Sequence, residues 1–297
     1  MASVDSVEGR SVSRIFGPSW TRRQVISRVG IAAAALAARP GLARASESAI
    51  TSPKPDPIWV NGRMYDAYVA TALKPAQYFY YTCEFDSAWV IMKTFGVEVS
   101  FEEQLAIVGY NQDPEPFWTD TPDGIVITGG DIGANFCGDY TSNLVAKIRG
   151  SAMKPIFDTF NFPSTPVKAR ADVETCLLGG GLVFVKCTVD FLPHIPAVWV
   201  ATNGNTYPVP FSNDHAAVVM GFNQDGVVVR DVLGPTNTKW DRQYEYEVPW
   251  AAFIASMEAH EWDALAVYSE GTAPPENTVP DVRPIVPIVP RTDGTGG

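Results

Sequence analysis

The clearest periodicity along the chain begins at Thr82. Phe85, Ala88, Trp89, Met92 and Phe95 recur at three- and four-residue steps, which predicts a helix from Cys83 to about Phe95. Thr82 suits its N-cap and Gly96 its C-terminal stop. Ser100-Phe101-Glu102-Glu103 has the spacing of a capping box and opens a second helix through Leu105, Ile107 and Val108. A Gly-rich, aromatic stretch from Asn111 to about Gly138 predicts a loop, and residues 140–149 predict a further helix. A short helix, Val173–Leu178, is expected to end at Gly179-Gly180-Gly181. After it the pattern changes. Leu182–Val189 is rich in β-branched residues and predicts a buried strand, and residues 190–213 read as a loop. Ala216–Met220 and Val227–Val229 predict two strands joined through Asn223-Gln224-Asp225-Gly226. Pro249 opens a helix from Trp250 to Met257, and Ala264–Tyr268 predicts a last strand. Helices first and antiparallel strands later define an α+β chain.

The two ends differ from this core. Thr21-Arg22-Arg23-Gln24 precedes a weakly apolar run, Val29–Ala38, and then Ala43-Arg44-Ala45. The run is shorter than the roughly 20 apolar residues a bilayer span needs. Basic segment, short apolar run and small-residue cleavage motif together predict a signal peptide over 1–45, and the arginine pair assigns it to the twin-arginine export machinery. A linker is expected over 46–57. Pro274, Pro275, Pro280, Pro284, Pro287 and Pro290 predict a disordered Pro-rich tail over 271–297. Residues 58–270 are left as one domain, large enough for a sizeable core. The expected location is secreted or otherwise outside the cytoplasm.

Seven of the 22 basic and two of the 33 acidic residues lie in 1–45, so removing that segment leaves 15 basic residues against 31 acidic ones. Such a field repels phosphate, which argues against a nucleic-acid partner and against anionic membrane surfaces. Cys83, Cys137, Cys176 and Cys187 allow three full disulfide pairings. If Cys83 is free, one bridge at most remains. Cys176–Cys187 is the candidate, with buried free thiols the alternative. No Cys-x-x-Cys or His-x-x-x-His spacing occurs, and no metal or cofactor is expected.

Chemistry concentrates on four residues. Cys83 stands at a predicted helix N-terminus, whose partial positive charge favours a thiolate. Glu84 and Asp86 oppose this if they face the sulfur. His215 begins one strand and Asp231 ends the next. Their even separation puts both on one face of a hairpin, directly opposite each other if the turn centres on Asn223. A carboxylate there orients the imidazole, as the third member of a triad does. Gln77 and the Cys83 backbone N–H are candidate donors to the oxyanion formed when the thiolate attacks a carbonyl.

Four stretches carry a resemblance to the papain-like clan of cysteine peptidases, and within it to the bacteriocin-processing peptidase family: Gln77–Glu84 with Met92–Gly96, Leu177–Val185, Asp214–Phe222 and Val228–Gly234. The resemblance spans about Ala76 to Tyr268. It implies Cys83 as nucleophile, His215 as base, Asp231 as orienter and Gln77 as oxyanion donor. It also implies a papain-like fold with a cleft between a helical and a β half. Glu84 departs from the family's glycine after the nucleophile, and Val232 from its proline after the aspartate. Hydrolysis of a peptide or protein substrate is the expected activity, with acyl transfer the same chemistry on another acceptor. A catalytically silent module binding peptides or cell-wall material is the alternative. Trp118, Trp199, Trp240 and Trp250 read as core or cleft wall. Gly129-Gly130-Asp131-Ile132-Gly133 lacks the strand and helix a dinucleotide loop needs, and Pro193–Pro196 reads as a rigid loop carrying His194.

Overall fold

The computed structural model describes residues 56–60, 62–234 and 243–269, with the backbone of 286 and 287, all within the unit Ser52–Gly297. The expected signal peptide, most of the expected linker, Trp240 and nearly all of the Pro-rich tail lie outside the described residues. Among the described residues no helix is long and apolar enough to cross a membrane.

In chain order the elements are β1 (Ile58–Val60), β2 (Arg63–Tyr65), β3 (Ala67–Tyr68), α1 (Cys83–Thr94), α2 (Phe101–Val108), β4 (Tyr110–Asn111), β5 (Phe117–Thr121), β6 (Gly124–Gly129) and β7 (Phe136–Cys137). Then follow α3 (Lys154–Thr159), β8 (Ser164–Pro166), α4 (Arg170–Leu178), β9 (Leu182–Thr188), β10 (Pro196–Ala201), β11 (Thr206–Pro210), β12 (Asp214–Phe222) and β13 (Gly226–Arg230). The last are β14 (Glu245–Pro249), α5 (Trp250–Ala259), β15 (Ala264–Val267) and β16 (Val286–Pro287). The chain is α+β, with one large sheet in the order β16-β14-β13-β12-β9-β15-β8 and β3 paired to the end of β12.

Strands β9 and β12 form the middle of this sheet, and all seven residues of β9 are buried. Alternation sorts their side chains between two cores. Phe184, Ala216, Val218 and Met220 pack with α1, α2 and α3 (Cys83, Phe85, Phe101, Phe157). Val183, Val185, Cys187, Ala217 and Val219 pack with α4 and α5 (Val173, Cys176, Phe253, Met257). Helices on both faces explain why β9 is buried along its whole length rather than on one face only.

α1 is buried around most of its circumference, including four polar side chains. Burying a polar group without a hydrogen bond costs several kcal/mol, and each of these four has a partner. Glu84 pairs with Lys186, and Asp86 accepts from Tyr78 and Thr82. Ser87 donates to the Ala216 carbonyl, and Thr94 to that of Val90. Ser100 caps α2 by accepting the Glu103 N–H at 3.2 Å, as its spacing predicts.

Three expectations fail. The stretches 111–138 and 190–213 are not irregular. They contribute β5 and β6, and β10 and β11, to a second sheet ordered β11-β10-β6-β5, in which β6 and β10 pair in parallel. That sheet has its own core around Ile127, Ile132, Trp199 and Val209. Gly129 is required there, since a Cβ would lie 2.5 Å from the Trp199 ring. Residues 140–149 are turns, not a helix. Asp139 accepts from the Thr141 N–H and hydroxyl and from the Ser142 hydroxyl, and this local bonding competes with a helical ladder. Finally, all four cysteines are buried and none is in a disulfide, so the Cys176–Cys187 bridge does not form. The Cys176 thiol instead points at the Leu182 carbonyl. Trp199 and Trp250 are core residues, whereas Trp118 is exposed and stacks near Phe211 at 5.3 Å.

Candidate active site

The β12–β13 hairpin turns through Asn223, whose side chain accepts the N–H groups of Asp225 and Gly226. Near the turn Phe222 opposes Val227 and Gly221 opposes Val228. A bulge then shifts the register, so that Val219 opposes Val229 and Val218 opposes Arg230. His215 and Asp231 are therefore one diagonal step apart rather than directly opposite. The bulge moves the register by one residue and leaves the two positions offset by two, so both face the same side, and His215 Nε2 meets Asp231 Oδ1 at 2.9 Å. The other Asp231 oxygen accepts the Tyr246 hydroxyl at 2.6 Å, and Oδ1 also accepts the Leu233 N–H at 2.7 Å. Both residues are buried. With Nε2 donating to the carboxylate, the lone pair of the neutral ring lies on Nδ1, which makes no hydrogen bond among the described residues.

The first turn of α1 runs along this strand end. Ser87, one turn beyond Cys83, donates to the carbonyl of Ala216, the residue after His215, at 3.0 Å. As the first residue of α1, Cys83 keeps its own N–H outside the intrahelical ladder. The sulfur is not hydrogen-bonded to the His215 ring. Its thiol points to Glu84 Oε2 at 3.3 Å. Burial pushes the Cys83 thiol well above its usual range, and the neighbouring Glu84 charge pushes it further; Lys186 opposes both. In this geometry the sulfur rests as a thiol, and the helix terminus does not by itself activate it.

Gln77 is half-buried in the segment before α1. The next residue is anchored: the Tyr78 N–H reaches both oxygens of Asp86, at 3.0 and 3.3 Å. Asp86 also accepts the Thr82 hydroxyl at 2.8 Å and lies 3.4 Å from Lys74 Nζ. Thr82 in turn accepts the Phe79 N–H at 3.0 Å. Asp86 thus ties residues 74–82 to the helix that starts at Cys83. The sequence marks Asp86 only as a first-turn acid, because nothing local shows that it folds inward to take the Tyr78 and Thr82 donors.

Burial raises the Asp86 carboxyl to about 7, against the opposing pull of Lys74, Thr82 and Tyr78. The raised value means the folded state holds its proton where the unfolded chain has lost it. This contribution is present below the unfolded value near 4 and is lost as pH climbs through about 7. Asp86→Asn, which mimics the protonated form, is therefore expected to gain stability relative to the parent between pH 5 and 8. Thermal melts of both proteins at those two pH values check the sign.

A second group also escaped sequence reading. Lys186 Nζ contacts Glu84 Oε1 and lies 3.2 Å from Asp214, which also holds Lys147 at 3.0 Å. Asp214 and Glu84 hold the Lys186 ammonium well above its usual range although burial opposes this. The available signal was a lysine inside an otherwise apolar strand, Leu182–Thr188.

Neither protein-family models nor curated protein sequences match the chain. A solved structure, that of a proposed C39-like peptidase from Bacillus anthracis, is similar to it with a TM-score of 0.52 and 14% identity. The match covers 67% of this chain and 94% of that one. At that identity the likeness shows a shared fold.

Proposed function

We propose that the protein is an exported cysteine hydrolase of papain-like fold that cleaves amide bonds in peptides. The observation that carries this reading is the His215–Asp231 hydrogen bond at the end of β12, beside the helix turn that begins at Cys83. The likeness to a proposed peptidase supports it. In the proposed reaction His215 Nδ1 takes the Cys83 proton as the sulfur attacks the carbonyl carbon. The ring then returns that proton to the leaving amine as the C–N bond breaks. Water, deprotonated by the same ring, hydrolyses the thioester and restores the thiol. Asp231 holds the ring and stabilises its cationic form. Gln77 and the Cys83 N–H receive the oxyanion. Export by the twin-arginine route is the part of the proposal that rests on residues 1–45 alone.

A specific observation favours a second reading. The thiol bonds to Glu84 rather than to the ring, as it would in a silent module that binds peptides in its cleft. Alkylation of Cys83 by iodoacetamide, followed by mass spectrometry of its peptide, separates the two. The hydrolase predicts fast labelling that falls at least about tenfold in His215→Ala, together with cleavage of members of a peptide library. Labelling at the rate of an ordinary thiol, indifferent to His215, with no cleavage, favours the binding module.

A further inference from the structure

Glu84 occupies the position where the family resembled by the sequence carries glycine, and its two carboxylate oxygens have different partners. Oε2 accepts the Cys83 thiol at 3.3 Å, while Oε1 is held by Lys186 Nζ. Lys186 comes from the middle of the sheet, 102 residues away. Its other contact is Asp214, at 3.2 Å, on the neighbouring strand. Asp214 is itself held by Lys147 at 3.0 Å and lies 3.5 Å from His260 Nε2. Lys147 also donates to the Pro210 carbonyl at 2.8 Å. Asp263 and Arg149 border the same small cavity. Cys83, Glu84 and Lys186 are all buried, so water screens little of this arrangement.

We propose that Glu84 is a positioning residue for the Cys83 nucleophile, fixed in place by Lys186, and that it restrains the sulfur as a thiol until the proton is drawn away. The inference rests on the nucleophilic role proposed for Cys83. A carboxylate beside a sulfur opposes thiolate formation, because two like charges would then lie within hydrogen-bond distance. Lys186 moderates that opposition. It neutralises Glu84 through Oε1 and leaves Oε2 to the sulfur. Once the proton leaves, Glu84 repels the thiolate and no longer holds it as an acceptor. The charged groups that act on the sulfur are Glu84 from α1, Lys186 from β9 and Asp214 from β12. Lys147, His260, Asp263 and Arg149 stand behind them. Of these, Glu84 alone is hydrogen-bonded to the thiol among the described residues.

The test is the pH dependence of Cys83 alkylation, read on the Cys83 peptide of the whole protein. Glu84→Gln keeps the side chain's shape and removes its charge. It is expected to lower the alkylation midpoint by at least about one pH unit, a tenfold gain in thiolate fraction at a fixed pH below both midpoints. Lys186→Met is expected to raise the midpoint, and Glu84→Gln combined with Lys186→Met to restore it towards the parent value. If Lys186→Met does not fold, Glu84→Gln decides alone. A purely structural ion pair would change the melting temperature and leave the midpoint in place. A Glu84→Gln midpoint within about 0.3 units of the parent overturns the proposal. Alkylation reads the sulfur whether or not the protein hydrolyses anything. An unmoved midpoint beside Cys83-dependent peptide cleavage would remove the role of Glu84 and leave the hydrolase. A shifted midpoint with no cleavage of any peptide would do the reverse.

Discussion

Asp231→Ala is expected to cost about 3–5 kcal/mol of stability, the range for removing one partner of a buried ion pair or its equivalent. The reason is geometric. The substitution takes acceptors away from His215 Nε2, the Tyr246 hydroxyl and the Leu233 N–H at once. Asp231 is fully buried, so water does not readily replace the carboxylate. Denaturant unfolding of the parent and variant measures the difference. Asp231→Asn keeps an acceptor oxygen near Nε2 and is expected to lose less stability. It also keeps the ring's orientation, so its residual cleavage activity should exceed that of the alanine variant. A loss under about 1 kcal/mol for Asp231→Ala would show that the carboxylate is not the anchor the hydrogen bonds describe.

Cys83→Ala is the complementary case, with a large effect on chemistry and a small one on stability. If the sulfur is the nucleophile, its removal is expected to lower kcat/KM for peptide cleavage by on the order of 10⁴-fold or more, in line with nucleophile deletions in hydrolases. The stability change should stay near 1 kcal/mol, because one buried atom and one weak thiol hydrogen bond are lost. Cys83→Ser should be nearly as inactive, since the hydroxyl hardly ionises at neutral pH. The measurements are progress curves on a cleaved library peptide and a thermal melt. Retention of more than a tenth of the parent activity in Cys83→Ala would remove Cys83 from the proposed reaction.

The hydrogen-bonded pair at the heart of these predictions was legible in the sequence, though its register was not. Parity of separation depends on strand geometry alone, so residues 16 apart across a short hairpin share a face whenever any slip is even. Near the turn the pairing is out of step with these two residues by an odd number, and the one-residue bulge between Val219 and Gly221 brings them back to the same face. No local pattern in Val-Val-Met-Gly announces a bulge, because it is selected by how the strand fits its neighbours. Helix α1 was legible for a similar reason: its apolar spacing, Thr82 and Gly96 are all local signals. The second sheet was not. β6 and β10 pair across about seventy residues of sequence, and the strands are short and bordered by glycine and proline.

Local propensity and periodicity therefore determined where α1, α2, β9, β12, β13 and α5 form, the α+β class, and which residues were candidates for chemistry. These depend on interactions within a few residues, which any window of the chain contains. Tertiary structure alone decided which polar groups meet inside the protein. It turned Asp86 inward to anchor residues 74–82, joined Glu84 to Lys186 across the sheet, and aimed the Cys83 thiol at Glu84. Those contacts arise from the crossing of elements far apart in sequence. Their strength comes from burial, which exists only once the helices have closed over both faces of the sheet.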